Sequence, residues 1–314
     1  QTQKTIAGSG LNLTVATDRQ GYSIGDSVYI NGNVTYNGTP VSDALVAVEV
    51  AAPLGQPYIV RTRTTGNITT SNWLVNFTTL FTCDYNRNPI YSFTKGSTLY
   101  VFFTIKNFDP ITNHTVKVWF SLYDAASTPI GIWNPYEVNL EPNANRSMLF
   151  MADKIPSSAN LGTATLYGNL YSDLPKDNGY PYCPEKTANF TITSSTLSLE
   201  MPATNEATML GSNGTYNASF KIPSGAALGF YVVFVSCYYK GDLSAPSTFF
   251  KALLIGDFNL DKKVNILDAI ILGNAFGTKT GDPRYNDNVD LNKDGKINIL
   301  DAILFGKHFG ETGT

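Results

Sequence analysis

The chain has 314 residues, 15% of them charged, and a formal net charge of −3. That length accommodates two or three domains, each with its own core. Without a block of Lys and Arg it lacks the basic surface that nucleic-acid binding needs, and its longest apolar run, LGFYVVFVSCYY at Leu228–Tyr239, is too short to span a bilayer.

Numbering that starts at Gln1 rather than Met reads as a processed N-terminus with a signal already removed. Ten Asn-x-Ser/Thr sequons occur, at Asn12, Asn33, Asn37, Asn67, Asn76, Asn113, Asn145, Asn189, Asn213 and Asn217. They take ten of the 22 Asn before Gly256, while the seven later Asn contribute none. The motif permits N-glycosylation. These ten are therefore the expected glycan positions of a secreted, extracellular or cell-surface protein. The three cysteines include no CxxC, which argues against zinc. In an oxidising compartment, one disulfide plus one thiol is the simplest account.

In chain order, residues 1–10 (QTQKTIAGSG) are expected to act as a donor strand taken up by a neighbouring subunit. From there to Gly256 nearly every segment reads as strand. LNLTVATD, SVYINGNVTYNG, ALVAVEVAA, TLYVFFTIKN, TVKVWFSLYD and TATLYGNLYS are rich in β-branched and aromatic residues and are bounded by turn clusters such as Asn37-Gly38. The expected class is mainly β, of sandwich type.

One internal repeat organises this region. KIPSSANLGTATLYGNLYS (Lys154–Ser172) matches KIPSGAALGFYVVFVSCYY (Lys221–Tyr239), 67 residues on. Each copy launches a late strand from a Pro-containing turn, so two copies imply two sandwiches. Neither 11–66 nor 213–254 holds enough strands to close a sandwich by itself, whereas 77–194 does. The economical reading splices a second sandwich (77–194) into a loop of the first (11–76 and 195–254), which an exposed loop tolerates. Three tandem domains are the alternative.

The first part, GYSIGDSVYINGNVTYNGTPVSDALVAVEV, resembles the macroglobulin-like β-sandwiches of bacterial and archaeal surface proteins. The resemblance rests on Tyr22, Gly25, Asp26, Val28, Gly38, Pro40, Val41, Ala44, Val46 and Val48, and on the Leu-Gly-x-Tyr strand at Leu228–Tyr231. The insert, through TKGSTLYVFFTIKN, resembles the cell-adhesion-related, Ig-like sandwiches of archaeal surface proteins. Both resemblances imply architecture rather than activity. Cys83 and Cys183 stand near the two ends of the insert, and a bridge between them would staple it where it leaves its host. Closing a loop of ~100 residues contributes up to ~4–5 kcal/mol in the chain-entropy model. Cys237 alternates with Val233 and Val235 and is expected as a buried thiol acting as a small hydrophobe.

The last sixty residues carry a second repeat. DFNLDKKVNILD (Asp257–Asp268) recurs as DLNKDGKINILD (Asp290–Asp301). Positions 1, 3, 5, 9 and 12 hold Asp257, Asn259, Asp261, Asn265 and Asp268, then Asp290, Asn292, Asp294, Asn298 and Asp301. Position 7, which offers its backbone carbonyl, is Lys263 and Lys296. Five side-chain oxygens and a carbonyl suit a hard cation such as Ca²⁺, so two ions are expected. An apolar helix follows each loop, with Ile266, Ala269, Ile270 and Gly273, then Ile299, Ala302, Ile303 and Gly306, at helical spacing.

This doubled loop–helix unit, 255–314, resembles a type I dockerin, the calcium-dependent docking module of cellulosome-like assemblies. One departure is at position 6, which is Gly295 in the second copy but Lys262 in the first. A left-handed residue is expected there, so the first loop should be the more strained. In the family, positions 10 and 11 often face the cohesin partner. Here they are Ile266, Leu267, Ile299 and Leu300, an apolar partner face.

No nucleophile elbow, phosphate loop or His-rich set occurs, and His114 and His308 read as surface residues. The chain is expected not to be an enzyme; a glycosidase carboxylate pair is the least favoured option. The favoured function is a non-catalytic, self-assembling filament or cell-surface subunit that binds copies of itself. The alternative is an adhesion or carbohydrate-binding component recruited by a cohesin-like surface protein, with glycans as further ligands.

Overall fold

A computed structural model of the chain describes residues 10–66, 73–194 and 213–313. The expected donor strand, but for Gly10, and the sequon at Asn67 lie outside the described residues. The architecture is mainly β, with two short helices near the C-terminus. Among the described residues no helix is long and apolar enough to cross a membrane.

The first stretch supplies β1 (Leu11–Leu13), β2 (Ala16–Thr17), β3 (Gly21–Ser23), β4 (Ser27–Tyr36), β5 (Thr39–Pro40), β6 (Leu45–Ala51) and β7 (Pro57–Thr64). The middle stretch supplies β8 (Val75–Cys83), β9 (Ser92–Thr94), β10 (Thr98–Asn107), β11 (His114–Tyr123), β12 (Pro129–Leu140), β13 (Asn145–Lys154), β14 (Gly162–Tyr171) and β15 (Lys186–Thr193). Then come β16 (Thr215–Lys221), β17 (Gly229–Tyr239), β18 (Asp242–Ser244), β19 (Ser247–Leu253), α1 (Ile266–Ala275) and α2 (Ile299–His308).

Strands flanking the middle stretch share sheets. β4 pairs β16 from Ser27↔Lys221 to Asn33↔Thr215, and β6 pairs β17 from Ala47↔Ser236 to Ala51↔Val232. These strands form one sheet around β4 and a second in the order β3-β19-β17-β6-β7. The middle stretch forms its own pair of sheets, β13-β10-β8 and β12-β11-β14-β15-β9. The second order repeats the first strand for strand, down to a parallel edge contact in each, β19 with β3 and β15 with β9. Between β12 and β13 the chain needs only residues 141–144. Between the corresponding β7 and β16 it carries the whole middle stretch.

The KIPS repeat has a matching structural role in both units. Ile222 exchanges backbone hydrogen bonds with the Gly25-Asp26 turn, and Ile155 does so with Gly96-Ser97. Gly25 and Gly96 stand at φ 89 and 82, where a side chain would be strained.

Strict alternation builds each core. In β4, Val28, Ile30 and Val34 point inward between exposed Tyr29, Asn31 and Asn33; in β10, Leu99, Val101, Phe103 and Ile105 are buried between half-buried neighbours. One cluster joins both sheets of the outer unit, and another joins both sheets of the middle unit.

The two units are clamped by a buried polar contact. All seven residues of β6 are buried, because the middle unit covers the outward side with Leu174 and Tyr171. The Glu185 carboxylate accepts from Arg61 Nε at 2.8 Å and Nη2 at 2.7 Å, from Arg63 Nη1 at 2.9 Å and from Thr62 N. Burial pushes that carboxyl up, but the two guanidiniums outweigh burial and hold it below its usual range. The Arg61 guanidinium also lies 3.4 Å from the centroid of the Tyr167 ring. Ser236 Oγ donates to the Gly179 carbonyl.

The expected Cys83–Cys183 bridge is absent; both cysteines are buried free thiols, as is Cys237. The Cys183 thiol lies against the backbone of Phe77, whereas Cys83 ends the same strand, β8. Those places are about 20 Å apart at about 3.3 Å per strand residue, far beyond the Cα separation of about 4.4–6.8 Å that a disulfide requires. Burial pushes the Cys183 and Cys237 thiols up to about 12.

Candidate calcium centre

Each loop is folded by its own acidic side chains. In the first, Asp257 Oδ1 accepts from Asp261 N and Oδ2 from Lys262 N. Asn259 Oδ1 accepts from Asp261 N, and Asp261 Oδ1 from Lys263 N. Asp268 reaches back from the helix, accepting from Phe258 N at 2.7 Å, Asn259 N at 3.1 Å and Asn265 N at 2.9 Å. The second loop repeats this set through Asp290, Asn292, Asp294 and Asp301. One addition is the Tyr285 hydroxyl, which donates to Asp290 Oδ2 at 2.7 Å.

Carboxylate oxygens of Asp257, Asp261 and Asp268 lie within 4.8 Å of one another. Asp257 and Asp268 are buried. Burial pushes the Asp257 carboxyl up, against the pull of the Lys262 and Asp261 N–H groups. Like charges held this close and this dry repel, and a hard divalent cation relieves the repulsion. The donor set, all oxygen, fits Ca²⁺. Asp257, Asn259, Asp261 and Asp268 would hold it with the Lys263 carbonyl, and a bound ion would tie the loop to the start of the helix. Asp290, Asn292, Asp294, Asp301 and the Lys296 carbonyl are the corresponding residues in the second loop.

The position-9 residues have another task. Asn265 and Asn298 are the N-caps of α1 and α2, accepting from Leu267 N and Leu300 N, and Asp268 and Asp301 complete a capping box at N3. The N-x-x-D spacing carries that signal, which the metal reading passed over.

Position 6 is left-handed in both loops, at φ 66 for Lys262 and φ 82 for Gly295. Position 4 is left-handed too, at Leu260 and Lys293. The two loops also exchange partners. Val264 and Lys262 pair with Gly310–Gly313 after α2, while Ile297 and Gly295 pair with Gly277–Thr280 after α1. The repeat thus closes on itself around Val264, Ile297, Leu272 and Phe305, with Phe258 stacked on Phe305 at 5.8 Å.

The apolar helix pattern splits in an unexpected way. Leu272, Ala275 and Phe305 are buried, whereas Ile266 and Ile299 are 64% and 61% exposed. Leu267 and Leu300 are exposed beside them, as expected of a partner face. Ile270, Ile303, Phe276 and Phe309 extend it, and a Cβ built at Gly273 or Gly306 meets open space. Spacing alone could not separate this face from the core, because both are apolar.

The remaining predicted residues are scattered. Asn12, Asn33, Asn37, Asn113, Asn145 and Asn213 are exposed, while Asn76, Asn189 and Asn217 are half-buried. The amide oxygens of Asn189 and Asn217 are enclosed without a hydrogen-bond partner. His114 is not a free surface residue: it sits 3.2 Å from Asp109 and edge-on to Tyr182. His308 pairs with Glu311 at 3.0 Å.

No curated protein matches the chain. Among solved structures, the C-terminal domain of Wzt shares 10% identity at a TM-score of 0.33, over 43% of this chain and 78% of that one. A β-glucuronidase from Bacteroides uniformis shares 9% at 0.31, over 54% of this chain and 26% of that enzyme. The alkylpurine DNA glycosylase AlkC of Pseudomonas fluorescens shares 10% at 0.30, over 39% of this chain and 31% of its own. Likeness at this level carries no argument. Residues 255–309, the segment built from the two acidic loops and their helices, match the family described as the dockerin type I domain.

Proposed function

We propose that this is a non-catalytic extracellular structural protein, a self-assembling filament or cell-surface subunit. In this reading two Ig-like β-sandwiches, 77–194 inserted between 11–76 and 195–254, present a dockerin-like module stiffened by two Ca²⁺ ions. The observation that carries it is the doubled face of Ile266, Leu267, Ile299 and Leu300, exposed on helices that the acidic loops hold in place. Large apolar side chains left exposed in numbers, rather than singly, mark a partner site. Exposed sequons on the sandwiches support an extracellular setting.

The dockerin match favours a second reading, in which a cohesin-like surface protein takes the same face and recruits the chain to a larger assembly. Electron microscopy of the purified chain separates the two. Fibres or sheets in Ca²⁺ that dissolve in EDTA are expected. A chain that stays dispersed in Ca²⁺ yet binds an immobilised cohesin would overturn self-assembly in favour of recruitment.

A further inference from the structure

The two acidic loops carry the same ligand set but differ in what precedes them. β19 ends at Leu253 and the first ligand is Asp257, so only residues 254–256 lie between the outer unit and the first loop. Those residues are built into the module rather than forming a free linker. Leu254 packs against the cluster around Val264 and Phe305, and Gly256 passes so close that a Cβ there would stand 3.0 Å from the Phe305 ring. Asp257 N donates to the Leu254 carbonyl and folds the crossing into a turn. The second loop has a different place, since the chain enters it from α1, inside the module.

The outer unit also grips the first loop directly. Lys251 Nζ, on β19, donates at 3.2 Å to the carbonyl of Leu260, loop position 4. Gly313, beyond α2, donates its N–H to the Lys262 carbonyl at 2.8 Å and leaves no room for a Cβ against the side chain of Leu228, just before β17. The second half of the module meets the outer unit through Arg19 and Asp287, an ion pair 4.0 Å apart whose carboxylate is exposed and which contributes little. The loops differ in strength too. Lys262 takes the left-handed place that Gly295 takes in the second loop, and Tyr285 braces Asp290 of the second. The first loop is thus the weaker of the two and the one that joins the module to the outer unit.

We infer that the first loop is a calcium-set lock on the joint between the module and the outer unit. Filled with Ca²⁺, this loop fixes the direction in which the helix face of Ile266, Leu267, Ile299 and Leu300 points. The second loop, when filled, folds the module without aiming it. Without a cation, the carboxylates of Asp257, Asp261 and Asp268, within 4.8 Å of one another, repel and open the first loop. Phe258 N then loses Asp268 Oδ1, the Phe258 ring leaves Phe305, and Lys251 loses the Leu260 carbonyl. Residues 254–256 become a hinge. As Ca²⁺ falls, the strained first loop empties first, so the module comes loose before it unfolds. Binding and docking are linked reciprocally, so the grip of Lys251 in turn raises the affinity of the first loop.

This inference rests on the calcium reading and can fail apart from it. Nitroxide labels are placed at Leu54→Cys on the outer unit and Lys307→Cys on α2, both exposed positions, while the three native thiols are buried. The full-length labelled chain, diluted in unlabelled chain, is measured by pulsed electron resonance at saturating Ca²⁺. One narrow distance is expected. Asp261→Ala should broaden it, whereas Asp294→Ala, its counterpart in the second loop, should leave it narrow. Calorimetry should show two binding events, and Lys251→Met should weaken the weaker one by about two- to tenfold and leave the other unmoved. A wild type that binds no Ca²⁺ removes the calcium reading and the lock together. Two binding events beside a distance that Asp261→Ala leaves narrow, or that Asp294→Ala broadens as much, remove the lock alone. Should either loop variant unfold, Lys251→Met decides: equal effects on both events, or none on either, overturn the lock.

Discussion

Position 6 of the acidic loops offers a reciprocal substitution whose size can be worked out beforehand. Lys262 and Gly295 occupy the same left-handed place, at φ 66 and φ 82, with the same N–H donation to the position-1 aspartate. A residue with a Cβ loses about 1–2 kcal/mol there. Glycine recovers that loss but gives back about 0.4–1 kcal/mol through the freer unfolded chain. Lys262→Gly should therefore stabilise the first loop by about 0.5–1 kcal/mol, a two- to fivefold gain in apparent Ca²⁺ affinity. Gly295→Ala should cost the second loop about 1–2 kcal/mol, because its new Cβ would also stand 3.2 Å from Thr280 Oγ1. Ca²⁺ titration of the chelator-stripped chain, followed by calorimetry, resolves both. A Lys262→Gly chain that binds Ca²⁺ no more tightly than wild type, beside a Gly295→Ala chain that loses nothing, would refute the argument from backbone strain.

Stripping Ca²⁺ with EDTA should unwind α1 and α2 and leave the sheets intact, seen as loss of far-UV helix signal with the near-UV aromatic signal retained. Glu185→Gln would leave Arg61 and Arg63 buried with a weakened partner, so urea unfolding should show a loss of about 3–5 kcal/mol. Glu49 is fully buried on β6, with Oε2 accepting from Lys176 N and Oε1 without a hydrogen bond, 4.0 Å from Lys176 Nζ. Burial raises its carboxyl from 4.5 to about 7. The native chain therefore holds this proton more tightly than the unfolded one. The stabilisation is full below about pH 4.5 and is lost as pH rises through 7. Glu49→Gln should flatten that pH dependence and be the more stable chain at pH 8, by on the order of 3 kcal/mol. Equal slopes of melting temperature against pH for both chains would rule this out.

Features set by near neighbours were legible before the fold. Alternation in SVYINGNVTY and TLYVFFTIKN marked strands with one buried face, and the structure buries those positions. The spacing of Asp257, Asn259, Asp261 and Asp268 brings their oxygens together because loop and first helical turn form within twelve residues. Asn265 and Asn298 have a second role that the ligand spacing does not reveal, since the same amide suits a ligand shell and a helix cap, and the structure shows the cap.

The sequence by itself determined which segments form strands, where the acidic loops lie and what cation their oxygens suit, because these depend on backbone preferences and contacts a few residues apart. Tertiary structure alone decided the rest. Cys83 and Cys183 both lie at the ends of the middle unit, yet one strand holds them far apart. Arg61 and Glu185, separated by more than a hundred positions, meet only because one unit closes over β6. Leu272 and Ile266 are equally apolar, and burial of one and exposure of the other depend on which side of α1 the second loop covers. Hydrophobicity says that a side chain should leave water; the arrangement of distant segments says whether it has somewhere to go.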